Sequence, residues 1–151
     1  MAVHRTYSAK ETKALGEKFA VSATRSAPRA REKNAFVFAL SGELGAGKTA
    51  FAQGFLRGLG VKKKSASPTF IIFRKFAVRN SRFANAYHVD AYRIKKPGEL
   101  SALGFKEIFF DPTNIVLIEW AEKFGSTLPK NAIWLRFRHG KKENERIIRS
   151  D

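Results

Sequence analysis

One octapeptide limits what this chain can be: Gly42-Glu43-Leu44-Gly45-Ala46-Gly47-Lys48-Thr49. It follows an apolar run, Ala35 to Leu40, of the length of a fully buried strand. Beyond it Phe51, Phe55 and Leu59 recur at helical spacing, and Gly58 and Gly60 mark that helix's end. The eight residues therefore join a strand to a helix in the pattern G-x-x-x-x-G-K-[ST]. Its glycines let successive backbone N–H groups turn inward as an anion nest, and the helix opening near Lys48 adds the positive end of its dipole. At average residue usage the four fixed positions coincide in roughly one chain in two hundred of this length, and the flanking strand and helix make chance rarer still. On this reading Glu43, Leu44, Gly45, Ala46 and Gly47 form a phosphate cradle. Lys48 reaches the β- and γ-phosphates as a point charge, and the Thr49 hydroxyl ligates a Mg²⁺ that keeps several of its waters. The expected ligand is ATP with Mg²⁺.

A phosphate loop of this kind needs a carboxylate at the end of a neighbouring hydrophobic strand. Glu119 follows Ile115-Val116-Leu117-Ile118, at the strand end that faces the ligand crevice of a parallel sheet. Asp90, after Tyr87-His88-Val89, is a second candidate for the same site. Which of the two orients the attacking water stays open at this point. His88 reads as a packed or hydrogen-bonded histidine, because a lone histidine has no metal partner at ligand spacing.

The remaining pattern supports an α/β class. Ser8 precedes Glu11 at capping-box spacing and opens an amphipathic helix to about Thr24, with Leu15 and Phe19 on one face. A basic link from Arg25 to Lys33 leads to the buried strand. Thr69 to Val78 and Phe83 to Val89 read as a hairpin with Asn80-Ser81 at its tip, and Pro97 to Leu103 as a short helix. Asp111-Pro112 breaks the chain before the strand at Ile115, and Ala132 to Arg138 and Glu145 to Arg149 form two strands around a turn. The expected fold has three layers: a mostly parallel central sheet with an added antiparallel hairpin, between helices.

The 151 residues are 44% hydrophobic, which fits one domain, residues 1–151. There are no cysteines, so a disulfide framework is excluded, and no apolar run is long enough for a transmembrane helix. The N-terminus lacks the apolar core of a signal peptide, so the expected location is cytoplasmic. Lysine and arginine number 29 against 13 acids, a net charge of +16 that directs the molecule to an acidic protein or a nucleic acid. Lys62, Lys63 and Lys64, with Arg136, Arg138, Lys141, Lys142, Arg146 and Arg149, are the candidate basic surface.

Taken together, the loop, Ser67-Pro68-Thr69-Phe70, His88-Val89-Asp90-Ala91-Tyr92-Arg93, Glu99-Leu100 with Leu103-Gly104, and Ile118-Glu119-Trp120 resemble the TsaE (YjeE) family across nearly the whole chain. The resemblance implies an ATPase required, with the TsaB and TsaD proteins, for threonylcarbamoyl modification of the adenosine beside the tRNA anticodon. Such a protein does not itself transfer the group. The resemblance assigns Lys48 to phosphate, Thr49 and Glu119 to Mg²⁺, and Asp90 to the neighbourhood of the metal and γ-phosphate. It makes Trp120 a functional neighbour of Glu119 and puts Thr12 and Arg146 beside the nucleoside. Thr69 falls in a switch-like loop that senses the γ-phosphate. Direct contact with tRNA through the basic surface stays open at this point, with an indirect route through the partner proteins favoured. Two departures concern partner contacts more than the ATP site: Glu107-Ile108-Phe109 where a tyrosine is frequent, and Ala121 where a proline is frequent after Glu-Trp.

A small-molecule kinase shares the phosphate loop. No long arginine-rich insertion follows Glu119, however, and the hairpin from Thr69 to Val89 leaves little room for an acceptor domain.

Overall fold

The computed structural model describes residues 1–25, 32–62, 73–78, 82–96 and 98–151. The expected basic link, the tip of the hairpin and the Ser67-Pro68-Thr69 segment lie outside the described residues or largely so. The elements in chain order are β1 (Ala2–Thr6), α1 (Ala9–Arg25), β2 (Phe36–Gly42), α2 (Lys48–Gly58), β3 (Phe73–Ala77), β4 (Asn85–Asp90), α3 (Gly98–Ser101), α4 (Phe105–Phe109), β5 (Asn114–Glu119), a 3₁₀ segment (Ala121–Thr127), β6 (Ile133–His139) and β7 (Arg146–Ser150). The strands form one seven-stranded sheet in the order β1-β7-β6-β2-β5-β4-β3. Its four central strands, β6, β2, β5 and β4, are mutually parallel. Antiparallel pairs extend both edges, β3 against β4 on one side and β7 and β1 beyond β6 on the other. The class is therefore α/β with a mostly parallel core, as expected, and the β3–β4 pair is the expected hairpin.

The two-residue period of the strands divides the core into two layers. Phe38, Leu40, Ile115 and Leu117 face α1 and α2, whereas Val37, Ala39, Val116 and Ile118 face α3, α4 and the 3₁₀ segment. The α1 start is a capping box: the Glu11 N–H donates to Ser8 Oγ at 3.1 Å, and the Tyr7 N–H donates to Glu11 Oε2 at 2.7 Å. α1 and α2 touch backbone to backbone. A Cβ on Gly54 would stand 1.9 Å from the Lys13 carbonyl oxygen, so only glycine permits this approach. That contact fixes the helix carrying the phosphate loop against the rest of the molecule. No described helix is long and apolar enough to cross a membrane.

Candidate functional site

The loop leaves β2 at Gly42 and enters α2 at Lys48, at the C-terminal edge of the parallel strands. Gly47 has φ 103°, a left-handed conformation that turns the chain into α2. Lys48 is 4% exposed. Its Nζ donates to the Gly42 carbonyl at 2.5 Å and the Glu43 carbonyl at 2.7 Å, and lies 4.0 Å above the centre of the Trp120 ring. Burial pulls the Lys48 pKa below the ordinary lysine value, and the carboxylates of Glu122, Glu119, Asp90 and Glu43 oppose that pull. A poorly solvated ammonium held this way gains from an anion brought close to it.

Two acids meet the loop because of strand register. Asp90 pairs with Glu119 across β4 and β5, so both carboxylates end adjacent parallel strands on the same face. The Thr49 hydroxyl donates to Glu119 Oε1 at 2.6 Å, and His88 Nε2 lies 2.7 Å from Glu119 Oε2. Glu119 is 1% exposed and His88 is fully buried. His88 Nδ1 has no hydrogen-bond partner among the described residues. Asp90 Oδ1 accepts the Tyr92 N–H at 2.9 Å, an Asx turn that carries Tyr92 toward Trp120, with ring centroids 5.0 Å apart. Trp120 has φ 59°, the only positive φ at a non-glycine among the described residues. That conformation costs about 1–2 kcal/mol for a side chain of this kind, and the Tyr92 and Lys48 contacts help to hold it.

The facing wall comes from α1 and the β6–β7 turn. Thr12 is buried, sharing a hydrogen bond with the Thr6 hydroxyl at 2.7 Å and donating to the Ser8 carbonyl at 3.1 Å. Arg146 Nε donates to the Gly45 carbonyl at 3.1 Å, and His139 Nε2 lies 3.1 Å from the Leu44 carbonyl oxygen. These contacts hold the loop tip against the C-terminal hairpin. Between the walls lies a cleft of about 380 Å³ that Lys48, Thr49, Glu119, Asp90, Trp120 and Arg146 all line.

A buried lysine and a threonine-carboxylate pair thus meet at one cleft, on a glycine loop between strand and helix. The comparison with known proteins gives it a lineage: residues 6–148 match the family model described as "Threonylcarbamoyl adenosine biosynthesis protein TsaE". The chain belongs to the TsaE family. It is 36% identical to the "tRNA threonylcarbamoyladenosine biosynthesis protein TsaE" of Bacillus subtilis over 129 residues, 85% of this chain and 72% of that protein. It is 37% identical to the protein of the same name from Haemophilus influenzae over 99 residues, 66% of this chain but only 60% of that relative's length. A crystal structure of Bacillus subtilis YdiB superimposes with a TM-score of 0.70 at 28% identity, covering 97% of this chain and 82% of that one. The TsaE family serves tRNA threonylcarbamoyladenosine biosynthesis, and its P-loop fold implies nucleotide binding.

In this TsaE-family chain the residues singled out from sequence converge on the cleft with three exceptions. Thr12, Leu44, Gly45, Gly47, Lys48, Thr49, Asp90, Glu119, Trp120 and Arg146 all line it. Ala46 is fully buried, and Glu43 turns its side chain to solvent while its carbonyl holds Lys48. Thr69 lies outside the described residues. Tyr92 and Asn144, to which the sequence assigns no part in the site, also line the cleft, as does Ser8, expected only as the cap of α1. Tyr92 had a usable signal, since it stands two residues after a strand-end aspartate in Asx-turn spacing. Asn144 had none, because its place depends on how β6 and β7 fold back.

Proposed function

We propose that this chain binds ATP with Mg²⁺ in the cleft over Gly42–Thr49 and hydrolyses it. The observation that carries the reading is the 2.6 Å hydrogen bond from the Thr49 hydroxyl to Glu119, next to the buried Lys48. The Thr49 proton is directed at the carboxylate, which leaves the hydroxyl lone pairs for a cation. Thr49 and Glu119 are hard oxygen donors, the kind Mg²⁺ takes in ones and twos alongside substrate phosphates and water. They fit the ion, and they are the residues that would hold it. When bound, Mg²⁺ neutralises charge on the β- and γ-phosphate oxygens.

The loop N–H groups and the α2 N-terminus bind the phosphates, and Lys48 exchanges its carbonyl partners for phosphate oxygens. Asp90, in register beside Glu119, accepts a hydrogen bond from the attacking water and aligns it. The water oxygen bonds to the γ-phosphorus as the bond to the ADP oxygen breaks, giving ADP and phosphate with no covalent enzyme intermediate. Trp120, Thr12 and Arg146 border the nucleoside end, and Thr69 senses the γ-phosphate. Arg146 is already engaged through Nη1 by the carbonyls of Glu143 and Glu145, both at 2.9 Å. With Arg146 held in this way, the isolated protein turns over slowly until a partner completes the site.

The family model and the named relatives support a place in tRNA threonylcarbamoyladenosine biosynthesis. In that role the chain acts as one cytoplasmic domain on the TsaB and TsaD proteins. It drives their cycle without transferring the group, and it meets tRNA through them rather than directly. The test is ATP hydrolysis by this protein alone and with the TsaB–TsaD pair, with Lys48→Ala alongside. The expected result is slow turnover alone, a changed rate with the pair, and a loss of at least about 100-fold in Lys48→Ala. Tight ATP binding with no response to the pair would leave the site standing and remove the pathway reading.

A further inference from the structure

Among the described residues, His88 is the one fully buried titratable side chain at this site to which the hydrolytic scheme gives no task. It lies on β4, two residues before Asp90 and on the same face. Its Nε2 meets Glu119 Oε2 at 2.7 Å, while Nδ1 has no partner among the described residues. A buried N–H without an acceptor is rarer and costlier than a buried lone pair without a donor. The ring proton therefore belongs on Nε2, where an acceptor waits, and the Nδ1 lone pair is the unpartnered group. Glu119 then receives one donor on each oxygen: the Thr49 hydroxyl on Oε1 and the His88 N–H on Oε2. Two donors on opposite oxygens fix both the position of the carboxylate and its rotation about the last side-chain bond. A carboxylate fixed this way in turn fixes the direction of the Thr49 proton, and with it the hydroxyl lone pairs.

We propose that His88 is a positioning residue that clamps Glu119, so that Thr49 and Glu119 present a ready-made pair of oxygens to the magnesium of a bound nucleotide. The inference rests on the reading of the cleft as a Mg²⁺-nucleotide site and adds to it a residue that touches neither ion nor nucleotide. A histidine that merely fills space in the core would be replaceable by an apolar side chain of similar volume. A clamp is replaceable only by another donor of the same reach. Glutamine supplies such a donor, since its side-chain N–H extends about as far from the backbone as histidine Nε2. Asparagine keeps the polarity but falls short of Glu119.

The experiment compares the wild-type protein with His88→Gln, His88→Leu and His88→Asn. Calorimetric titration with ATP is run in EDTA and across a series of Mg²⁺ concentrations, and thermal melting checks folding. The Mg²⁺ concentration for half-maximal enhancement of ATP binding should rise about 10-fold or more in His88→Leu, and stay within about 3-fold of wild type in His88→Gln. Affinity in EDTA should be the same in all folded variants. If His88→Leu does not fold, His88→Asn carries the comparison with the same expected loss. A leucine or asparagine variant with wild-type Mg²⁺ dependence would overturn the clamp, and so would a glutamine variant as impaired as the leucine one. Failure of wild-type protein to bind ATP at any Mg²⁺ concentration would overturn the cleft reading itself, and is recognised before any variant is compared.

Discussion

The two faces of the sheet are packed by different means, and the one that carries the phosphate loop supplies most of the site, the other adding Trp120. On the loop face, α1 and α2 are long helices whose backbones touch through glycines, over a cluster of Phe19, Phe38, Phe51, Phe55 and Phe137. On the other face, two helices of four and five residues and a 3₁₀ segment pack chiefly through side chains, with Phe105 edge-on to Phe124 at 5.3 Å, and the Ala35 N–H donates to the Phe109 carbonyl at 2.8 Å. That face also leaves a hollow of about 440 Å³ lined by Phe105, Phe109 and Phe124. A backbone contact allows no adjustment, whereas phenylalanine rings repack at modest cost. The phosphate loop is thus mounted on the more rigidly specified side, where a small displacement would misplace every N–H of the nest.

Damage to the two faces should therefore separate stability from binding. Phe124→Ala removes a fully buried ring from the second face and should cost about 3–5 kcal/mol in urea unfolding, while folded protein keeps its affinity for ATP. Gly54→Ala should cost less, roughly 1–3 kcal/mol, yet weaken ATP binding, because a Cβ at 1.9 Å from the Lys13 carbonyl oxygen pushes α2 away from α1. Equal ATP affinity in these two variants would break the comparison. Gly98→Ala in α3 meets nothing within 4 Å and should stabilise by about 0.4–1 kcal/mol, seen as a raised melting temperature.

The smallest effect concerns the β6–β7 turn that backs the loop. Glu145 accepts N–H bonds from Lys142 and Lys141 and an ion pair from Arg5. The Lys142 N–H, helped by Arg5 and Lys141, holds its carboxyl below the ordinary value of 4.5 against the opposing effect of burial. Because the folded pKa is the lower one, this contribution is complete above the ordinary value and is lost as pH falls through the folded value. Melting temperature followed from pH 7 downward should decline on the acid side, and Glu145→Gln should flatten that limb.

How much of this was legible in the sequence follows the same division. α1 and α2 announced themselves through the Ser8–Glu11 capping box and the Phe51, Phe55, Leu59 period, and β2 and β5 through continuous apolar runs. The short α4 and the 3₁₀ segment did not, because one helical turn is too short to show a period and their packing is tertiary. Strand β1 was also invisible. Ala2–Thr6 carries little apolar pattern and is a strand because its backbone pairs with β7 at the sheet edge. Within the site, the loop was readable from spacing and Glu119 from its place after an apolar run. The His88 contact was not, since it depends on the parallel register that brings β4 beside β5.

Calorimetric titration of ATP with Mg²⁺ into wild-type protein, Lys48→Ala and Phe124→Leu tests most directly whether the phosphate loop holds the nucleotide independently of the second-face core. Saturable binding is expected for wild type and Phe124→Leu, with affinity at least about 100-fold weaker in Lys48→Ala. Undiminished binding to Lys48→Ala, or loss of binding in folded Phe124→Leu, would contradict this expectation.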